Sequence, residues 1–307
     1  MADIVIIGGI NIDIEGYPYK DLVEQDSNPG RIKISYGGVG RNIAENAARI
    51  GEKVAMLSVI GADELGRGAR SHLAGLGVDV SMVREIPGRG SAIYLSILNP
   101  NRDMHLGLCD MEIIQELTAA DIRKAGTVFE SAAAVVLDGN LEEEMLRDAT
   151  EILSDKMLFY DPVSANKAHR AKAYIGRFHS IKPNLIEAEV LSGMKIETDE
   201  ELRNAARYFL DKGVKNVYIT LNCDGVYFKN KEKEGFIRPP KSIKIESATG
   251  AGDAFSAAVL YGMAHGLEID EIAALGMAAS QIAMESEKAV NEKINIEDIK
   301  RRVTQNV

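Results

Sequence analysis

Three short stretches of this chain hold residue types suited to hydroxyl and phosphoryl chemistry. "TGAGDAF" (249–255) is a Gly-Ala-Gly turn that runs into an apolar helical pattern. Free backbone N–H groups and the helix dipole make such a turn attractive to anions. Gly250, Ala251 and Gly252 thus form a candidate anion hole, with glycines that allow close backbone approach. Asp253 stands in the same turn. Two roles are open to it: helix capping, or a general base that takes a proton from a hydroxyl attacking a phosphoryl group. "KPNLIEAE" (182–189) sets Asn184 and Glu187 three residues apart at a helix start, where both can face one phosphate tail or cap each other. "GGINID" (8–13) and "GGVGRN" (37–42) are further glycine clusters with polar residues at their ends.

These residues need a scaffold, and the sequence patterning supplies one. Short β-branched runs recur at 3–9, 53–61, 133–139, 156–162 and 216–221, separated by amphipathic helical patterns such as 41–51 and 201–213. Thr198 and Glu201 have capping-box spacing at the start of the latter helix, and Gly213 stops it. Continuous apolar strands between amphipathic helices imply an α/β fold with a largely parallel sheet covered on both faces. Two stretches break the rhythm, 15–38 and 92–111. Each alternates in polarity and is interrupted by Asn-Pro, as expected of antiparallel hairpins that pair into a small sheet beside the main one. Such a flap suits a lid over a pocket. "KNKEKEG" (229–235) reads as a solvated hairpin turn.

The chain has 307 residues, 46% of them hydrophobic, and a formal net charge of −10. That balance argues against nucleic-acid backbones and anionic membranes as main partners. Cys109 and Cys223 lie far apart, which favours a reduced, cytoplasmic setting, and the five histidines show no helical metal-ligand spacing. "MADIVIIGG" reads as a first buried strand rather than a signal peptide. The fingerprints of dinucleotide-binding, P-loop and protein-kinase sites are absent.

"GGVGRNIAENAARIG" (37–51), followed much later by "TGAGDAF", resembles the two signature motifs of the ribokinase-like (PfkB) carbohydrate kinases. "KPNLIEAE" matches that family's Asn-x-x-Glu element, and "GGINIDIEG" also matches. The similarity covers essentially the whole chain. Within the family, "NIDIEGYP", "DSNPGRIK", "DPVSANK" and "KPNLIEAEVLSG" are most similar to bacterial members that act on pseudouridine.

The resemblance implies a single domain over 1–307, a ribokinase-like three-layer sandwich with a small β lid. It implies ATP as co-substrate with Mg2+, and transfer to the primary 5′-hydroxyl of a ribosyl nucleoside. Asp253 would be the catalytic base, kept ionised at neutral pH by the helix N-terminal amides. Asn184 and Glu187 would organise Mg2+ through water. Asp13, Asn42 and the backbone of Gly37 and Gly38 would hold the ribose, with Asn11 either joining them or fixing the strand-end turn. Asp161 would assist the metal or cap a turn. Asn140, Asp110 and Ser27 are the candidates for the uracil edge. Thr220, Asp224 and Gly225 would bind the nucleotide beside Asn184.

The pattern also departs from the family. Ser247 replaces a cation-binding Asp, and "ESEKAVNEK" (285–293) differs from ribokinase, which puts monovalent-cation activation in question. Asn222 stands where a glycine is usual. Exposed lid edges suit a homodimer.

Overall fold

The computed structural model describes residues 2–240 and 245–305. Its strands, in chain order, are β1 (Ile4–Ile7), β2 (Asn11–Pro18), β3 (Gly30–Gly37), β4 (Val54–Gly61), β5 (Val83–Ile86), β6 (Ala92–Leu98) and β7 (Met104–Asp110). They continue with β8 (Ala134–Asp138), β9 (Leu158–Asp161), β10 (Ser180–Ile181), β11 (Asn216–Thr220), β12 (Val226–Lys229) and β13 (Glu234–Ile237).

Nine of them form one sheet in the order β13-β12-β11-β10-β9-β8-β1-β4-β5. It is parallel from β11 to β5, and the β11–β12–β13 end is antiparallel. Helices cover both faces, as the unbroken apolar strands require. In β1, Val5 and Ile7 enter one core while Ile4 and Ile6 enter the other. This is the three-layer α/β architecture that the resemblance implies. The five β-branched runs read from the sequence are β1, β4, β8, β9 and β11. The helix Asp199–Lys212 carries its Thr198–Glu201 capping box and ends at Gly213, with φ 122°. "KNKEKEG" is the β12–β13 turn.

The two irregular stretches form a second sheet, β3-β2-β6-β7. The β2–β3 and β6–β7 pairs are antiparallel, and the hairpins join through a parallel β2–β6 pair. Strand alternation gives this sheet two different faces. Asp13, Ser35 and Tyr94 face a cleft of about 1120 Å³ that runs between this sheet and segment 286–293. The opposite face carries Ile32, Ile34 and Leu108, which are 70%, 58% and 59% exposed. Among the described residues, no helix is long and apolar enough to cross a membrane.

Candidate active site

The C-terminal ends of parallel strands and the N-termini of two helices converge at one place. The helix Ala251–Ala264 is apolar nearly all round and buried, which fixes its N-terminus rigidly. Gly250 is its N-cap at φ 80°, a left-handed conformation that favours glycine. A Cβ on Gly250 would lie 1.7 Å from the Ala289 carbonyl oxygen, so segment 285–293 presses directly on this turn. The Ala251 N–H turns back to the Ala248 carbonyl at 3.3 Å.

Asp253 is the third residue of that helix, and the structure gives it no capping role. Its Oδ2 instead accepts from Asn42 Nδ2 at 2.6 Å, a contact across 211 residues. The expectation that helix amides keep Asp253 ionised at neutral pH is corrected here. Burial, reinforced by the nearby Asp161 carboxylate, pushes its pKa up to about 7 against the opposing pull of Asn42, Lys182 and Arg41. Desolvation of this buried carboxylate outweighs the pull of the helix terminus.

At the start of the lid, Asn11 Nδ2 donates to Asp13 Oδ1 at 2.6 Å, so Asn11 positions Asp13. Burial raises the Asp13 pKa to about 6, opposed mainly by Arg41. Any side chain at Gly37 would overlap that carboxylate, with a Cβ only 2.3 Å from Oδ2. Gly38, at φ 98°, backs onto the Gly9 carbonyl. Asp13 and Asp253, the latter held by Asn42, both lie within the field of the Arg41 guanidinium.

On the other side, Asn184 and Glu187 form a complete capping box. Asn184 Oδ1 accepts from the Glu187 N–H at 2.9 Å, and Glu187 Oε2 accepts from the Asn184 N–H at 2.8 Å. The capping role read from the sequence is thus realised, and Glu187 Oε1 keeps no partner within the protein among the described residues. Asn184 bridges to Thr220 at the end of β11, which brings two of the expected nucleotide-side residues together. Asn222 adopts φ 53°, the left-handed region, which explains why glycine suits this position and why Asn tolerates it. Gly225 lies at φ 101° close against the Ile237 carbonyl, and Asp224 is exposed in the same turn.

Lys182 was not singled out by the sequence, yet it ties these elements together. Its buried Nζ pairs with Asp161 Oδ2 at 3.3 Å and lies 3.3 Å from where a Gly252 Cβ would be. Burial works against its charge, but Asp161, Glu187 and Asp253 outweigh that and hold the ammonium above its usual range. Asp161 also accepts from Ser256 Oγ at 2.7 Å, which locks β9 to the helix that carries Asp253.

Asp138, at the end of β8, is the other residue missed. Fully buried, it accepts from the Gly9, Gly40 and Asn140 N–H groups at 2.8–2.9 Å and from Asn140 Nδ2 at 3.1 Å. Burial raises its pKa despite those bonds. The available signal was its position, an acid at the C-terminal end of a parallel strand, where such sheets bind ligands. Asn140 gives its amide to Asp138, and its Oδ1 accepts from Lys167 Nζ at 2.6 Å. Asp110 is not brought to this region: it pairs with Ile93, on the sheet face opposite Asp13. Ser27 lies in the exposed β2–β3 connection, and Ser247 accepts from the Thr249 N–H.

Comparison with known proteins identifies the family. The model of the pfkB family carbohydrate kinases matches residues 1–295. Pseudouridine kinase of Escherichia coli K12 is 33% identical over 296 residues, covering 96% of this chain and 95% of its own. Guanosine-inosine kinase of Exiguobacterium acetylicum is 27% identical over 300 residues, covering 96% and 99%. A putative sugar kinase from Clostridium perfringens superimposes with a TM-score of 0.89 at 32% identity, covering 99% and 96% of the two chains. Arabidopsis thaliana ribokinase, solved with ribose and ATP, shares the fold with a TM-score of 0.83 at 19% identity and 98% coverage of both chains. The chain belongs to the pfkB family of carbohydrate kinases and is a phosphotransferase with an alcohol group as acceptor.

Proposed function

We propose that this kinase transfers the γ-phosphoryl group of ATP to the 5′-hydroxyl of pseudouridine. The observation that carries the reading is Asp253, a buried carboxylate with a pKa near neutrality, held by Asn42 beside a glycine-capped helix N-terminus. Such a group accepts the hydroxyl proton as the oxygen bonds to phosphorus and the bond to ADP breaks. Charge developing on the phosphoryl oxygens meets the Gly250–Gly252 turn and the Lys182 ammonium. Asp13 accepts from ribose hydroxyls, since an ionised carboxylate takes two donors at once.

The donor set fits Mg2+ held partly through water. Glu187 Oε1 is free for a metal-bound water and Asn184 stands beside it, which suits an ion that keeps its waters and rides on phosphates. When bound, Mg2+ supplies neutralisation of phosphate charge. At the base end, Asn140 and Lys167 together offer N–H donors for uracil carbonyls. The similarity to E. coli pseudouridine kinase supports this substrate over a free sugar.

ADP release with pseudouridine, uridine, guanosine, inosine, ribose and fructose 6-phosphate tests the assignment. Pseudouridine is expected to give the highest kcat/KM, and equal or better turnover of ribose or guanosine would sink it. The reading includes a homodimer through the apolar outer face of the lid sheet, because exposed patches of this kind mark association surfaces. Ile34→Lys with Leu108→Glu is expected to give a monomer by sedimentation; an unchanged mass relative to wild type, or a wild-type monomer, would overturn that part.

A further inference from the structure

The geometry points to Arg41 as a positioning residue that fixes the Asn42 side chain in the one orientation able to hold Asp253. Arg41 and its salt-bridge partner Glu45 are both almost fully buried in the helix Val39–Arg49. The guanidinium donates to Glu45 Oε2 at 2.5 Å, to the Gly37 carbonyl at 3.3 Å, to the Tyr36 carbonyl, and to Asn42 Oδ1. Four acceptors around one fork leave it no freedom to turn.

A guanidinium has donors only, so the Asn42 atom facing it must be the carbonyl oxygen. The Asn42 amide then has to face Asp253, whose ionised carboxylate has acceptors only. The orientation of Asn42 is dictated from both ends. Arg41 takes one lone pair of Asn42 Oδ1 and Asp253 takes one amide hydrogen, so Asn42 meets a substrate hydroxyl with its second amide hydrogen or the remaining lone pair. Arg41 also joins the end of lid strand β3, through Tyr36 and Gly37, to the base. Glu45 completes the arrangement by accepting from Arg49 and contacting His72 at 2.9 Å.

This inference rests on Asp253 acting as the base, so the test separates the two. The charged groups whose field reaches Asp253 are Asp161, Lys182 and Arg41. Arg41→Met alone leaves Glu45 as a buried anion that has lost its closest partner, and a folding defect would follow. Arg41→Met/Glu45→Gln removes both charges, and replacing a buried ion pair this way is often neutral for stability. Arg41→Lys keeps the ion pair and loses the fork.

The measurements are melting temperature, kcat and KM with pseudouridine, and the pH dependence of kcat/KM. The double variant is expected to melt close to wild type yet keep kcat about 10–100-fold lower, the cost of a mispositioned reacting group. Its acid limb of kcat/KM moves to higher pH. Arg41→Lys is expected to lose a similar factor in kcat while its acid limb stays near that of wild type.

Recovery of kcat to within about threefold of wild type in the double variant, or full kcat in Arg41→Lys, would assign Arg41 a purely structural role and overturn the inference. Failure of the base reading shows differently, as an Asp253→Asn protein that remains active.

Discussion

Asp253→Asn is expected to lower kcat by ~10²–10⁴-fold while making the protein more stable at pH 8. The two effects share one cause. The folded pKa of Asp253 is about 7 against the ordinary aspartate value of 3.8, so the folded state holds a proton that the unfolded chain releases across that window. Stability therefore falls as pH rises from about 4 to 7, and above 7 the full cost of a buried charge is present. Asparagine has the same shape and still accepts from Asn42, but carries no charge. Its new amide needs a partner, so the gain at pH 8 is smaller than the full linkage value, ~1–3 kcal/mol. At pH 4 the gain vanishes.

Urea denaturation at the two pH values reads the stability change directly. Wild-type kcat/KM is expected to rise with pH through about 7, a limb that the variant lacks. A variant with kcat within about threefold of wild type would remove Asp253 from the role of base.

The second large effect is expected from Lys182→Met. One buried ammonium faces Asp161 at 3.3 Å and lies within the field of Glu187 and Asp253. Removing it leaves three buried carboxylates with their mutual repulsion, a loss of ~3–5 kcal/mol at neutral pH. The sign of the pH dependence follows. Without the cation the folded-state pKa values of Glu187 and Asp253, already raised by burial, rise further, so the variant recovers stability as pH falls from 8 to 5 and these carboxylates take up protons. An unfolding midpoint equal to wild type at pH 8, or a defect that does not shrink at pH 5, would show that the ammonium is not what holds this cluster.

Five of the nine strands of the main sheet, β1, β4, β8, β9 and β11, were legible because both faces are buried, whereas short strands such as β5 and β10 were not. Ile4–Ile7 or Val135–Leu137 cannot be continuously apolar in any other half-exposed setting. The lid hairpins announced themselves by alternation and Asn-Pro breaks, although the parallel β2–β6 pairing that joins them did not, since register between distant strands leaves no local mark. "TGAGDAF" and "KPNLIEAE" showed which residues sit at helix starts. The capping box of Asn184 and Glu187 is a contact over three residues, and their spacing offered it as one of two readings.

What the sequence determined by itself was the fold class and the chemical types gathered for the reaction: a carboxylate beside an anion-binding turn, and polar residues at strand ends. What only the tertiary structure decided was the state and partners of those groups. The ionisation of Asp253 depends on burial and on Asp161, 92 positions away in the chain. The parts played by Arg41, Asp138 and Lys182 depend on contacts with elements far off in sequence. Propensity and pattern act over a few residues, whereas desolvation and charge pairing are set by whatever the fold packs alongside.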